Sequence, residues 1–238
     1  MLQIRQLELL RGQGEQAYRI SLPELDLQAG QIIALTGASG CGKSSLLECF
    51  GLLLPPHSVR RFLMGAREPM DMGQAQQQKQ HTKLSAWRAQ YIGFVLQNGG
   101  LLPYLSVRDN ILLPRRLQGR SDCPEFLRAA IKLLEMEALL DAKPTALSIG
   151  QRQRVSILRA LAHEPDLLLA DEPTAALDPD TAVRMMELFL HLVQERRLAV
   201  VLVSHDWDLL RQFQLPRIQA HTQRGHSVFL PEGATHVG

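Results

Sequence analysis

Residues 37–44 read GASGCGKS, three glycines closed by a lysine and a serine. The spacing is that of a phosphate-cradling loop, and the setting is the one such a loop requires. The apolar run QIIALT (31–36) precedes it and a helix-patterned KSSLLECFGLLL follows. Gly37, Gly40 and Gly42 let the backbone close around an anion, with the amides of Ala38, Ser39 and Cys41 part of the same wrap. The helix that starts here adds about half a positive charge. Lys43 is placed to reach β- and γ-phosphates. Ser44 is placed to give its hydroxyl to Mg²⁺, and Ser45 to hydrogen-bond a phosphate beside it.

A second group is acidic. DLLLADEP (166–173) is an apolar strand ending in Asp171 and Glu172. Beside a phosphate cradle, Asp171 is positioned to hold Mg²⁺ directly or through water, and Glu172 to polarise a water for attack on the γ-phosphate. VSHD (203–206) repeats the strand-end geometry, so His205 is expected to orient Glu172 or that water. Gln97 ends the strand-like YIGFVL and is expected to sense the metal or the water.

LSIGQRQR (147–154) opens another helix. Ser148, Gly150 and Gln151 make it a second helix start able to meet an anion. It lies far along the chain from residues 37–44, in a stretch of different character, so the natural arrangement puts the two around one polyphosphate from two copies of the chain. Ile149 is expected to point away from the phosphate.

The elements that must position these residues follow from hydrophobic patterning. QIIALT, DLLLAD and LAVVLVS (198–204) read as buried parallel strands, each followed by loop and helix, which indicates an α/β sheet with right-handed crossovers. β-type runs occur at both ends: LQIRQLEL, RISLPELDL, RIQAH and HSVFL. Between 100 and 147, SVRDNILLPRRLQG and PEFLRAAIKLLEMEALLDA read as helices with no strand between them, a helical insertion. The Gln-rich MGQAQQQKQHTK (72–83) is expected to be an exposed, poorly ordered loop.

Bulk properties narrow the class. The chain has 238 residues, 45% hydrophobic and 21% charged, with a formal net charge of +2. Neither a basic stripe nor a strong field favours nucleic acid, so no nucleic-acid partner is expected. The three cysteines (41, 49, 123) have no zinc or disulfide spacing, which fits a reducing compartment. No signal peptide is read at the start and no apolar run approaches a bilayer span. The only asparagines are Asn98 and Asn110, so there is no guanine-reading N-K-x-D motif.

Taken together and in order, GASGCGKS, Gln97, LSIGQRQR, LLLADEPTAALD and VSHD resemble the ATP-binding subunit of ABC (ATP-binding cassette) transporters, over residues 31–206. The resemblance implies one cassette across 1–238. Its P-loop NTPase (RecA-like) core takes about 1–96 and 160–238, with an antiparallel β-subdomain and an inserted α-helical subdomain at about 97–159. It implies ATP and Mg²⁺, an ATPase homodimer, and separately encoded transmembrane permease subunits that hold it at the cytoplasmic face of the inner membrane. By the same resemblance, Asp178 of AALD is expected to belong to the loop that communicates between the two nucleotide sites. The family stacks adenine on an aromatic residue before the loop, and Tyr18 is the aromatic upstream of it. The signature is usually L-S-G-G-Q, with Ile149 the departure here. RAQYIGFVLQNGGLLPYLSVRDNILLP is similar to the lipoprotein-release and macrolide-export group. Two alternatives stay open: a regulatory ABC ATPase bound to a membrane complex without transport, and a soluble ABC regulator acting on nucleic acid or ribosomes.

Overall fold

A computed structural model describes residues 1–12, 14, 17–65, 69–97 and 99–233. Among these, ten strands form one sheet. Its α/β part is built on β3 (Ile32–Thr36), β6 (Ile92–Val95), β7 (Leu167–Asp171) and β8 (Ala199–Val203), ordered β3, β8, β7, β6 and all parallel. Its antiparallel part is β1 (Leu2–Arg11), β2 (Tyr18–Leu27), β4 (Ser58–Met64) and the two-residue β5 (Met70–Asp71). The hairpin β9 (Arg217–Gln223) and β10 (His226–Pro231) joins the two, β9 pairing with β3 and β10 with β2.

The central strands are apolar throughout because both faces are covered. Alternate residues divide between two cores. Leu168, Ala170, Val200 and Leu202 face the core under the helical region and α7 (Pro179–Arg196). Leu167, Leu169, Val201 and Val203 face the core shared by α1 (Lys43–Phe50) and the antiparallel strands. The cradle and the acidic strand end thus sit where parallel strands finish and helices begin.

The Gln-rich stretch corrects the sequence expectation. Residues 72–83 are no loop: Met72–Gln77 form α2, and His81–Tyr91 form α3. Asp71 caps α2 by accepting from the Gln74 amide at 2.9 Å, and Met72 and Ala75 are buried. Glutamine is a good helix former, and apolar residues three apart face one way, so a short stripe docks the segment beside β4. The helix expected over 43–54 stops at Phe50, because Leu52 takes a left-handed φ of 58°.

The insertion between β6 and β7 contains α4 (Val107–Leu117), α5 (Glu125–Leu133) and α6 (Ile149–Leu161). The helix expected over 124–142 breaks after α5, where Glu135 has φ 56° and a 3₁₀ turn at Glu137–Leu139 follows. Helix α6 packs so closely on β6 that a Cβ on Gly93 would fall 2.3 Å from the Ala160 carbonyl oxygen. Just beyond α6, buried His163 bonds the Ile92 carbonyl through Nε2 at 3.1 Å, and burial lowers its pKa to about 4. The last helix, α8 (Trp207–Gln212), follows β8.

Candidate active site

The loop between β3 and α1 is built on left-handed glycines, with φ of 147° at Gly37, 77° at Gly40 and 105° at Gly42. Two of them also lack room for a side chain. A Cβ on Gly37 would lie 2.6 Å from Ala220 Cβ and 2.9 Å from Cys41 Sγ. One on Gly42 would lie 2.4 Å from Ile20 Cδ1. Gly42 precedes α1, which has neither a side-chain cap nor an acid in its first turn. Its first amides therefore keep their hydrogen-bonding capacity for an external acceptor. Lys43 Nζ folds over the loop and donates to the carbonyls of Gly37 (2.8 Å) and Ala38 (2.9 Å).

Facing the loop, β7 delivers Asp171, whose carboxyl is hydrogen-bonded by the Ser44 side chain. Burial pushes the Asp171 carboxyl up; the Ser44 bond opposes the shift and the negative charge of Glu172 adds to it. Glu172 holds a left-handed φ of 49°, a conformation costing a non-glycine residue about 1 kcal/mol. Its amide donates to the Val203 carbonyl at 3.0 Å, which fixes that backbone against β8. Strain of this kind concentrates at working sites. Here it aims the carboxylate between two partners: Gln97 Nε2 donates to Oε2 at 3.1 Å, and His205 Nδ1 lies 3.2 Å from Oε1. Residues expected from separate stretches of sequence, 97, 172 and 205, meet on one carboxylate.

A second group forms elsewhere. Ser148 caps α6 in a reciprocal box: the Gln151 amide donates to Ser148 Oγ at 3.2 Å, and the Ser148 amide to Gln151 Oε1 at 2.9 Å. Ile149 is 65% exposed. Gly150 lies against the chain before α7, where a Cβ would come 3.1 Å from the Ala176 carbonyl oxygen. Asp178 caps α7 through the Thr181 amide at 3.0 Å, and that bond holds its carboxyl below the usual range. Among the described residues no hydrogen bond or ion pair joins Ser148, Gln151 or Asp178 to the first group. Leu177 and Pro179 nonetheless line a cavity of about 350 Å³ together with Glu172 and His205. Well behind the cap, Arg159 of α6 donates to the carbonyls of Gly99 (2.8 Å) and Gly100 (2.7 Å), just after Gln97.

Tyr18 stands at the start of β2. It packs on the core of the antiparallel strands, and its hydroxyl lies 2.6 Å from Ser227 Oγ. The sequence reading missed Arg11, whose Nε donates to Ser45 Oγ at 3.0 Å and whose Nη2 pairs with Glu48. Nothing in the spacing of residues 11 and 45 marks that contact.

Residues 21–175 match the family model described as ABC transporter. The chain belongs to the ABC transporter family. Within it, this cassette is an ATP-binding subunit with ATPase activity. A lipoprotein-releasing system ATP-binding protein, LolD 1 of Rhodospirillum rubrum, is 40% identical over 191 residues, 79% of this chain and 81% of its own. A phosphonates import ATP-binding protein, PhnC of Chromohalobacter salexigens, is 36% identical over 245 residues, 96% of this chain and 83% of its own. Among solved structures, the ATP-binding cassette MJ0796, in a dimeric post-hydrolysis state bound to ADP and Pi, superposes with a TM-score of 0.81 at 30% identity, covering 95% of this chain and 96% of that one. Among the described residues no helix is long and apolar enough to cross a membrane.

Proposed function

We propose that this cassette works as a Mg²⁺-dependent ATPase in a homodimer, at the cytoplasmic face of the inner membrane, driving a separately encoded permease of the lipoprotein-release or macrolide-export kind. The observation that carries the catalytic part is the Glu172 carboxylate, held between Gln97 and His205 beside the Ser44–Asp171 pair. The loop amides of residues 37–42 and the α1 terminus take the β- and γ-phosphates, and Lys43 leaves its loop carbonyls for them. Ser44 and Asp171 are adjacent hard oxygen donors. They suit Mg²⁺, which favours few protein ligands plus water and phosphate oxygens. When bound there, Mg²⁺ would neutralise charge on the phosphates. Gln97 stands within reach of the same place.

Glu172 accepts a proton from the attacking water, and His205 keeps the carboxylate aimed. Ser148, Gly150 and Gln151 of a second copy close the open side of the phosphates, and Asp178 lies at the junction between the two sites. The helical region at about 97–159, including the Gln97 segment, faces the permease. Support for the permease type comes from the LolD relative and from MacB of Rhodopirellula baltica, 40% identical over 193 residues.

Purifying the tagged chain from detergent-solubilised membranes, with mass spectrometry of what accompanies it, tests this reading. A co-purifying membrane protein with few spans and a large extracytoplasmic domain is the expected outcome. Recovery of soluble partners alone would overturn the transport role. A partner with many spans and small loops would overturn the subgroup.

A further inference from the structure

Arg11 ends β1 directly opposite Tyr18, the first residue of β2. Two residues further into the hairpin, Leu9 pairs with Ile20. Strand alternation puts Arg11 and Tyr18 on the same face as that pair. Ile20 is the side chain against which Gly42 packs. The register therefore brings Arg11 to the first turn of α1, and its bonds confirm the placement: Nε to Ser45 Oγ at 3.0 Å, Nη2 to Glu48.

The two bonds differ in consequence. The Glu48 pair is an ion pair with both side chains more than 40% exposed, the kind that contributes little to stability. The Ser45 bond constrains a proton. A serine hydroxyl both accepts and donates, whereas a guanidinium donates only. Ser45 Oγ must therefore accept from Arg11, and its own proton is left to donate elsewhere. Without Arg11, no other side chain among the described residues holds the Ser45 hydroxyl, and its rotor is free. Ser45 stands in the turn of α1 that has no side-chain cap, beside the loop amides.

We propose that Arg11 is a positioning residue of the phosphate site: by occupying Ser45 Oγ as acceptor, it turns the Ser45 hydroxyl proton toward a bound polyphosphate. This rests on the nucleotide reading of residues 37–44 and assigns a recognition role to a residue outside the loop.

Titration calorimetry with Mg·ATP and with inorganic tripolyphosphate, which offers phosphates without a base, tests it, with thermal unfolding to verify each variant's fold. Arg11→Met keeps the alkyl stem and removes the donor. It is expected to weaken both ligands about tenfold, the scale of one hydrogen bond to a charged group. Glu48→Gln loses the ion pair but keeps the Arg11–Ser45 bond, and is expected to bind no more weakly than wild type. In a Ser45→Ala chain, Arg11→Met is expected to cost less than about twofold more, because the pair acts as a unit. Three results overturn the proposal. An undiminished loss in the Ser45→Ala chain means Arg11 does not act through Ser45. A loss confined to ATP, with tripolyphosphate unaffected, means the guanidinium serves the base. An equal loss in Glu48→Gln means Arg11 only ties β1 to α1. Wild-type chain that binds neither ligand would instead sink the nucleotide reading itself.

Discussion

Replacing Glu172 by glutamine separates chemistry from structure, because the two consequences differ widely in size. Both carboxylate oxygens are engaged, Oε2 by Gln97 Nε2 at 3.1 Å and Oε1 by His205 Nδ1 at 3.2 Å. Glutamine has the same shape and keeps one oxygen acceptor. The other contact becomes an amide facing Gln97 or His205, either of which can turn or change tautomer to accept. At most one hydrogen bond is lost, about 1 kcal/mol. The left-handed backbone strain at residue 172 is the same in both chains. Binding is not expected to suffer either. The charge on Glu172 contributes to raising the Asp171 carboxyl, so removing it leaves Asp171 more readily ionised for metal. The base is lost entirely, which costs about 10²- to 10⁴-fold in turnover, or about 3–5 kcal/mol of barrier. The expected result is a folded chain that binds Mg·ATP at least as tightly as wild type and turns over at least about 10²-fold more slowly. Phosphate release, read beside calorimetric ATP binding and thermal unfolding, measures all three. Turnover within about tenfold of wild type would remove Glu172 from the chemistry. Lost ATP binding would show that the carboxylate is needed to build the site, and the assignment of roles would fall.

Ile149→Gly is expected to leave ATP turnover within about threefold of wild type, since the side chain is 65% exposed and a first-turn glycine costs α6 only about 1 kcal/mol. A tenfold gain in phosphate release would mean that Ile149 obstructs closure. Gly93→Ala drives a Cβ to 2.3 Å from a backbone oxygen that has no rotamer to escape into. It is expected to destabilise the chain by about 3 kcal/mol in chemical denaturation, and an unchanged midpoint would contradict the packing of α6 on β6. His163 has a folded pKa of about 4, below the unfolded value near 6.5. Between those values the unfolded chain binds the extra proton, so this residue makes stability fall as pH drops, by at most about 1.4 kcal/mol per unit. His163→Gln should flatten that acid limb relative to wild type in denaturant titrations at pH 4 to 7, and parallel limbs would refute it.

The residues that meet at Glu172 were legible because each lies at the end of an apolar strand. Strand ends in a parallel sheet converge, so Asp171, His205 and Gln97 had to be neighbours of the loop after β3. Arg11 was invisible for the opposite reason. Its target lies 34 residues away on α1, and only the β1–β2 register carries it there. The Tyr18–Ser227 bond spans 209 residues and depends on the parallel pairing of β10 with β2, which no local pattern announces. The stretch 72–83 was misread because composition outweighed spacing: many glutamines hid the apolar pair Met72 and Ala75, three apart. The break after α5 is set at Glu135, which turns left-handed within a strongly helical sequence and pairs with Arg184 of α7 at 2.7 Å. What closes α5 is the local cap around that residue, the Met136 amide donating to the Ile131 carbonyl at 3.0 Å and the Glu135 amide to the Lys132 carbonyl at 2.9 Å, since an ion pair this exposed contributes little.

The two bonds from Arg159 to Gly99 and Gly100 give α6 the character of a lever. One end is bolted to the strand-end segment that carries Gln97, and the other end is Ser148, eleven residues away, about 16 Å along a helix. A tilt of about 4° around the bolted end carries the tip about 1 Å. Where a polyphosphate is gripped, about 1 Å of misplacement is worth two orders of magnitude in rate. A shift at the Gln97 segment too small to break a hydrogen bond is therefore geared up, along one rigid helix, into about 1 Å at the Ser148 cap, the scale on which the proposed grip on a second copy's phosphates would respond.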